Sequence, residues 1–217
     1  MNEINNKFTI EHYESQLKLH GYSPKTLGWI NGRHNLRYYI LLSQWTFANN
    51  SLLDFGCGFG DLFRFCTKND YQIAYEGVDL SSQLIEMGRH VYPEANLWHG
   101  DVLHEGLQKN YDFIVSSGVH NLKLDNTWEF IQATFTFFDK HSNLGFALNF
   151  LSSEVEYTLE HTYHADPAKI LALAYKYSNR VVLRNDYMPF EFTVFVDKRD
   201  DFNREIAVYS DFLGYVK

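Results

Sequence analysis

The sequence predicts an α/β chain built on one doubly wound, mostly parallel sheet of seven strands, with an antiparallel member supplied by a C-terminal hairpin. Three observations predict it. Between residues 50 and 151, short apolar runs alternate with segments of helical periodicity, as expected of a sheet covered on both faces. One of those runs breaks into glycines, "LLDFGCGFG", as a strand does where it turns into a helix beside a ligand. Near the C-terminus, "RVVLRNDYMPFEFTVFVDK" holds two β-rich runs joined by a few residues containing Pro189. So short a link permits only an antiparallel hairpin.

Taken in order, the chain opens with a helix near 9–20 stopped by Gly21, the turn "GYSPKTLGW", and a helix near 32–46 carrying Arg33, Arg37 and Trp45. These precede the sheet and are expected to cover its ligand edge. Strands follow at 50–55, 72–79, 95–99, 111–117 and 143–151, with helices at about 60–69, 81–91 and 126–139; Ser81 or Ser82 is placed to cap the second of these helices. "DPAKILALAYKY" is a helix with Asp166 as N-cap, Pro167 at its first position, and Ile170, Leu173, Ala174 and Tyr177 at helical spacing. The hairpin strands are 180–186 and 191–198. We read 1–217 as a single domain: a helical cap over 1–49, the sheet and its helices over 50–198, and a tail over 199–217.

With 217 residues, 45% of them apolar and 17% aromatic, the chain has ample material for a core. A formal charge of -8 argues against binding driven by phosphate neutralisation, so no nucleic-acid partner is expected. Cys57 and Cys66, nine apart with no CxxC spacing, suit a reducing compartment. With neither a signal pattern nor an apolar run of spanning length, we expect a cytoplasmic protein without membrane contact.

The glycine loop narrows the ligand. A dinucleotide site wants G-x-G-x-x-G under a pyrophosphate; here the glycines are Gly56, Gly58 and Gly60, and Asp61 stands where the third dinucleotide glycine belongs. Asp54 adds a second acid. Two carboxylates would repel two phosphates but attract an ammonium and a sulfonium. S-adenosylmethionine carries both.

"LLDFGCGFG" followed by "YEGVDLS", "LWHGDVL" and "YDFIVSSGV" resembles the class I S-adenosylmethionine-dependent methyltransferases, over roughly residues 50–150 and in their order and spacing. The terminal hairpin fits the same Rossmann-like fold, and "YMPFEFTVFVDK" is similar to bacterial members of unassigned substrate. The resemblance implies that Asp54, Gly56, Gly58 and Gly60 form the turn under the methionine part. It gives Asp79 to the ribose hydroxyls, Leu80 to the adenine face, and Asp101 with the Val102 amide to the adenine edge. Ser117 and Gly118 would close the pocket. Trp29 and Arg37 are proposed to fold over the cofactor, the guanidinium pairing the methionine carboxylate. The cofactor would be S-adenosyl-L-methionine and the product S-adenosyl-L-homocysteine.

Methyl transfer needs alignment and exclusion of water more than a strong base. Where an acceptor proton must leave, His120 in "SSGVHNL" and His161 in "EYTLEHTYHADP" are the candidate bases, with Asn121 and Glu156 close to them in sequence. The N/D-P-P-Y and proline–cysteine signatures of nucleobase enzymes are absent. Asp125 and Asn126 resemble only part of a catechol-type Mg²⁺ site, so no metal is expected. The cap, the segment 152–178 and the tail are of a size to roof a pocket, which points to a small-molecule acceptor of oxygen or nitrogen type. Two alternatives stay open on sequence: a noncatalytic S-adenosylmethionine-binding module and an NAD-dependent oxidoreductase.

Overall fold

The computed structural model describes residues 3–29 and 32–216, with side chains from residue 5 onward. Three elements precede the sheet: α1 (Glu3–His20), a 3-10 turn (Pro24–Leu27) and α2 (Arg33–Leu42). The alternating core runs β1 (Asn50–Phe55), α3 (Asp61–Lys68), β2 (Ile73–Asp79), α4 (Ser82–Val91), β3 (Leu97–His99), α5 (Val102–Glu105), β4 (Tyr111–Ser116), α6 (Thr127–His141) and β5 (Ser142–Ser152). It continues through β6 (His164–Ala165), α7 (Pro167–Ala174), β7 (Arg180–Arg184) and β8 (Glu191–Asp197), and the tail holds β9 (Phe202–Asn203), β10 (Val208–Tyr209) and a 3-10 turn (Ser210–Tyr215).

The sheet order is β3-β2-β1-β4-β5-β8-β7, with β6 pairing β5 off this path. Strands β3, β2, β1, β4 and β5 are parallel, and β8 inserts antiparallel between β5 and β7. This is the predicted sheet. Continuous apolar runs are legible here because both faces are covered: β8 is buried at all seven positions, Phe192, Val194 and Val196 meeting the α6–α7 core while Phe195 joins the layer around Leu41, Leu42 and Trp45. Asp166 caps α7 as expected, its Oδ1 accepting from the amides of Ala168 and Lys169 at 2.8 and 3.2 Å. Ser81 caps α4 through the Leu84 amide at 3.2 Å.

Two helix boundaries ahead of the sheet move. Helix α1 begins six residues earlier than its periodicity suggests, at Glu3, because it is seated by polar contacts: Asn5 with Asn126, Asn6 with Asp101, and Glu14 with Ser81 and Gln83. Helix α2 ends at Leu42, leaving Trp45 to pack on Phe113 with ring centres 4.6 Å apart. The tail is pinned by charge. Arg180, 8% exposed, pairs with Asp197, Asp201 and Asp211 and lies 4.3 Å from the Tyr209 ring centre, and Arg199 also grips Asp211.

Order reverses between β1 and β4, which run to either side from the centre of the sheet. Such a switch point opens a crevice at the carboxyl ends of the strands. Here the helices ahead of β1 roof it. Among the described residues no helix is long and apolar enough to cross a membrane.

Candidate functional site

The glycine turn sets the floor. Gly56 and Cys57 both donate their amides to the Val78 carbonyl (2.8 and 3.0 Å), drawing the turn onto the end of β2. The Gly58 amide donates to Asp79 Oδ2 at 2.8 Å, and Asp79 Oδ1 accepts from Ser81 at 2.9 Å, so one carboxylate ties the turn to α4. Gly56 sits at φ 73°, and a Cβ there would lie 2.2 Å from Val119 Cγ2. A side chain at this position would fill the gap between the first and fourth strand ends. Gly60 differs from the expectation. It does not line the cavity but precedes α3, where a Cβ would strike the Leu97 side chain at 2.9 Å; its smallness serves packing under the turn.

The acids also separate. Asp54 is 3% exposed and accepts a 2.8 Å hydrogen bond from the Tyr75 hydroxyl. Burial pushes its carboxyl up to about 7, and the nearby Asp79 carboxylate adds to the rise. Asp79 is raised as well, again by burial, against the lowering effect of the Ser81 and Gly58 amides. Asp61, which stands in sequence where a dinucleotide site has its third glycine, points elsewhere and accepts from the hydroxyls of Tyr22 and Tyr92 at 2.8 and 2.7 Å.

Above this floor lies a cavity of about 1010 Å³. Asp54, Gly56, Gly58, Asp79, Leu80, Asp101, Val102, Ser117 and Gly118, predicted separately from four stretches of sequence, all line it. At one end Asp101 bonds the Asn6 side chain of α1 and caps α5. At the other stand Glu154, Glu156, Tyr157 and His161. Backbone bonds from Lys123 to His161 (3.0 Å) and from Tyr163 to Asn121 (2.9 Å) bring the loop after β4 against this segment.

His120 is corrected. It is 1% exposed, absent from the cavity wall, and packed at a tilt against Phe130 and Phe150 with ring centres at 4.8 and 5.3 Å. The Thr134 hydroxyl donates to the Phe130 carbonyl, so the His120 Nε2–H donates to the Thr134 oxygen at 3.2 Å. Burial drives the imidazole down to about 3. It is a neutral core histidine, while its neighbours Val119 and Asn121 line the cavity. His161 does line it, half of the expected pair. His164, beside it, donates from Nδ1 to the Ser152 carbonyl at 2.7 Å, and among the described residues no three His, Cys, Asp or Glu side chains cluster as a metal site.

Trp29 and Arg37 both reach the cavity wall, but Arg37 already has a carboxylate. Its Nε donates to Glu191 Oε2 at 2.6 Å and its Nη2 to Oε1, with Glu191 1% exposed. The expected free guanidinium is therefore corrected to one engaged by β8. Sequence reasoning missed Glu191, although an acid inside the apolar run "FEFTVFV" was a visible signal. It also missed Thr9, His12 and Tyr13, which α1 brings to the cavity. Burial lowers His12, and the His161 ring adds to the effect.

Residues 29–133 match a family model described as a methyltransferase domain. A Mycobacterium tuberculosis protein provisionally named as a methyltransferase is 29% identical over 155 residues, which cover 68% of this chain and 93% of that one. The structure is similar to the magnesium protoporphyrin IX methyltransferase of Synechocystis PCC 6803 with bound S-adenosylmethionine (TM-score 0.65, 12% identity, 89% of this chain and 97% of that chain). It is also similar to an S-adenosylmethionine-dependent methyltransferase from Clostridium acetobutylicum (TM-score 0.61, 11% identity, 84% and 98%). At these identities the structural likeness is one of fold.

Proposed function

We propose, from the premise that this chain is a class I S-adenosylmethionine-dependent methyltransferase, that its acceptor is a small molecule methylated on oxygen or nitrogen inside the roofed cavity. The observation that carries this reading is the size and covering of that cavity. Drug-sized ligands fill roughly 300–1,000 Å³, and a space of about 1010 Å³ has room for the cofactor and a modest acceptor together. The wall near Glu156 and His161 mixes Leu122, Phe130, Leu151, Tyr157 and Phe190 with a few polar groups, as small-ligand sites do.

The residues present fit the cofactor. The turn at Gly56 and Gly58 leaves a cradle that a β-carbon would fill, two acids suit a ligand carrying positive charge, and Ser117 Oγ is a buried polar atom without a partner among the described residues. In this reading Asp54 and the glycine turn hold the methionine end, Asp79 the ribose, and Leu80, Asp101 and Val102 the adenine. Ser117, Gly118 and Trp29 close the middle, and Arg37 acts through Trp29. S-adenosylmethionine supplies an activated methyl carbon, transferred by in-line displacement. The chain's part is to exclude water with α1 and α2, orient the acceptor, and take up its proton. His161 is the imidazole we assign to that proton, with His12 facing it from α1.

S-adenosylhomocysteine is expected to raise the melting temperature, as any ligand of the native state does. Asp79→Ala should remove most of that shift, since it deletes the ribose acceptors and frees the Gly58 amide. Equal shifts in both proteins would remove Asp79 from the site. A methyl-labelled donor offered to metabolite fractions, to protein and to RNA tests the acceptor class. Transfer confined to protein or RNA would overturn the small-molecule reading.

A further inference from the structure

The wall between the two ends of the cavity is held by a chain of contacts crossing from sheet to roof. Glu191 starts β8, paired in register with Leu151 of β5. It binds Arg37 of α2 through both carboxylate oxygens. The Arg37 guanidinium carbon lies 4.0 Å from the Trp29 ring centre, and burial lowers that guanidinium only to about 10, leaving it a cation at neutral pH. The indole in turn abuts Gly118: a Cβ there would lie 2.6 Å from Trp29 Cη2. Gly118 is itself fixed by the hydrogen bond its amide donates to Asn149 Oδ1 at 2.7 Å. Arg37, Trp29 and Gly118 all line the cavity.

Stability alone does not account for this arrangement. Two buried charges recover little beyond their desolvation cost, and apolar residues of similar volume often hold such positions as well. An apolar pair, however, would not fix the plane of an aromatic ring. A bidentate guanidinium does, because its orientation is set by two hydrogen bonds and its face is presented to the indole.

We infer that Glu191 is a positioning residue for the cofactor pocket: acting through Arg37, it sets the Trp29 indole against Gly118 and so holds the roof over the bound donor. The inference rests on the cavity being the cofactor site, and wild-type affinity for S-adenosylhomocysteine tests that first. Absence of wild-type binding removes the function reading itself; the variants below bear on Glu191 alone.

Glu191→Leu leaves a buried, unpaired guanidinium and should lower both the melting temperature and the affinity for S-adenosylhomocysteine. Glu191→Gln, keeping one acceptor oxygen, should fall between it and wild type. The deciding protein is Arg37→Met with Glu191→Leu. Its melting temperature should return close to that of wild type, while S-adenosylhomocysteine binding by calorimetry stays about tenfold weaker, the order carried by a desolvated cation–π contact. The emission of Trp29, isolated by subtracting the Trp29→Phe spectrum, should remain shifted to the red. A double variant that regains stability and binds within about twofold of wild type overturns the inference. So does one that stays destabilised, because the pair would then be serving the fold.

Discussion

Asp54→Asn changes the pH dependence of stability between about pH 4 and 7. The folded carboxyl, pushed by burial to about 7 from an ordinary 3.8, keeps a proton that the unfolded chain has released. Over that window the folded state binds more protons, so this group's contribution is complete below about pH 4 and is lost as the pH rises through 7. His120 works in the opposite direction. Its imidazole, lowered by burial to about 3 from 6.5, leaves the unfolded chain with more protons, so its contribution is complete above about pH 6.5 and is lost as the pH falls towards 3. Each displacement corresponds to at most about 4–5 kcal/mol. The two slopes largely cancel in the wild-type chain. Urea unfolding across pH 4–7 should show Asp54→Asn gaining on wild type as the pH rises, and His120→Phe gaining as it falls. Stability differences that are flat with pH for both variants would show that neither group is as dry as its surroundings imply.

Gly56→Ala is expected to destabilise by roughly 2–5 kcal/mol. A left-handed backbone costs an L-residue about 1–2 kcal/mol, and φ at Gly56 is 73°. The new methyl must also displace Val119 Cγ2 from 2.2 Å, and overpacking of this kind costs about 1–3 kcal/mol. Val119→Ala in the same chain should recover the second part and leave the first, a division that denaturant midpoints at constant m-value can read. S-adenosylhomocysteine affinity should fall in Gly56→Ala. If the single variant unfolds at the wild-type midpoint, the turn is not shaped as described.

The sheet was legible because each parallel strand is buried on both faces and so spells a continuous apolar run. β1 begins and ends at its predicted limits, and the antiparallel place of β8 follows from the short link at Pro189. That Asp54, Gly56, Gly58, Asp79, Asp101, Ser117 and Gly118 line one cavity was legible for a related reason, since they sit at or just past the carboxyl ends of parallel strands, at positions the topology fixes. Side-chain direction in the following loops was not. His120 occupies the expected stretch, yet alternation along the chain after Gly118 sends Val119 and Asn121 to the cavity and turns His120 inward. Arg37 and Glu191 lie 154 residues apart, and no local periodicity announces such a pair. The start of α1 was hidden because its seat is made of amides and carboxylates, which leave no apolar stripe to read.

The tail gives the molecule an unequal resistance to attack. Its aromatic residues Phe202, Phe212 and Tyr215 remain 42, 54 and 86% exposed, and its attachment to β7 and β8 runs mainly through Arg180, Arg199 and the acids around them. The more exposed part of that tether, Asp211 with Arg199 and Arg180, weakens with added salt, whereas the apolar sheet beneath it does not. Under such conditions a protease should find residues 199–216 first, trimming the chain back towards Asp197 before touching the strands. Arg180→Ala should bring that trimming to ordinary ionic strength, visible as rapid loss of the C-terminus in limited digestion followed by mass spectrometry. Equal digestion rates with and without Arg180 would mean that the tail is held by something other than its charges.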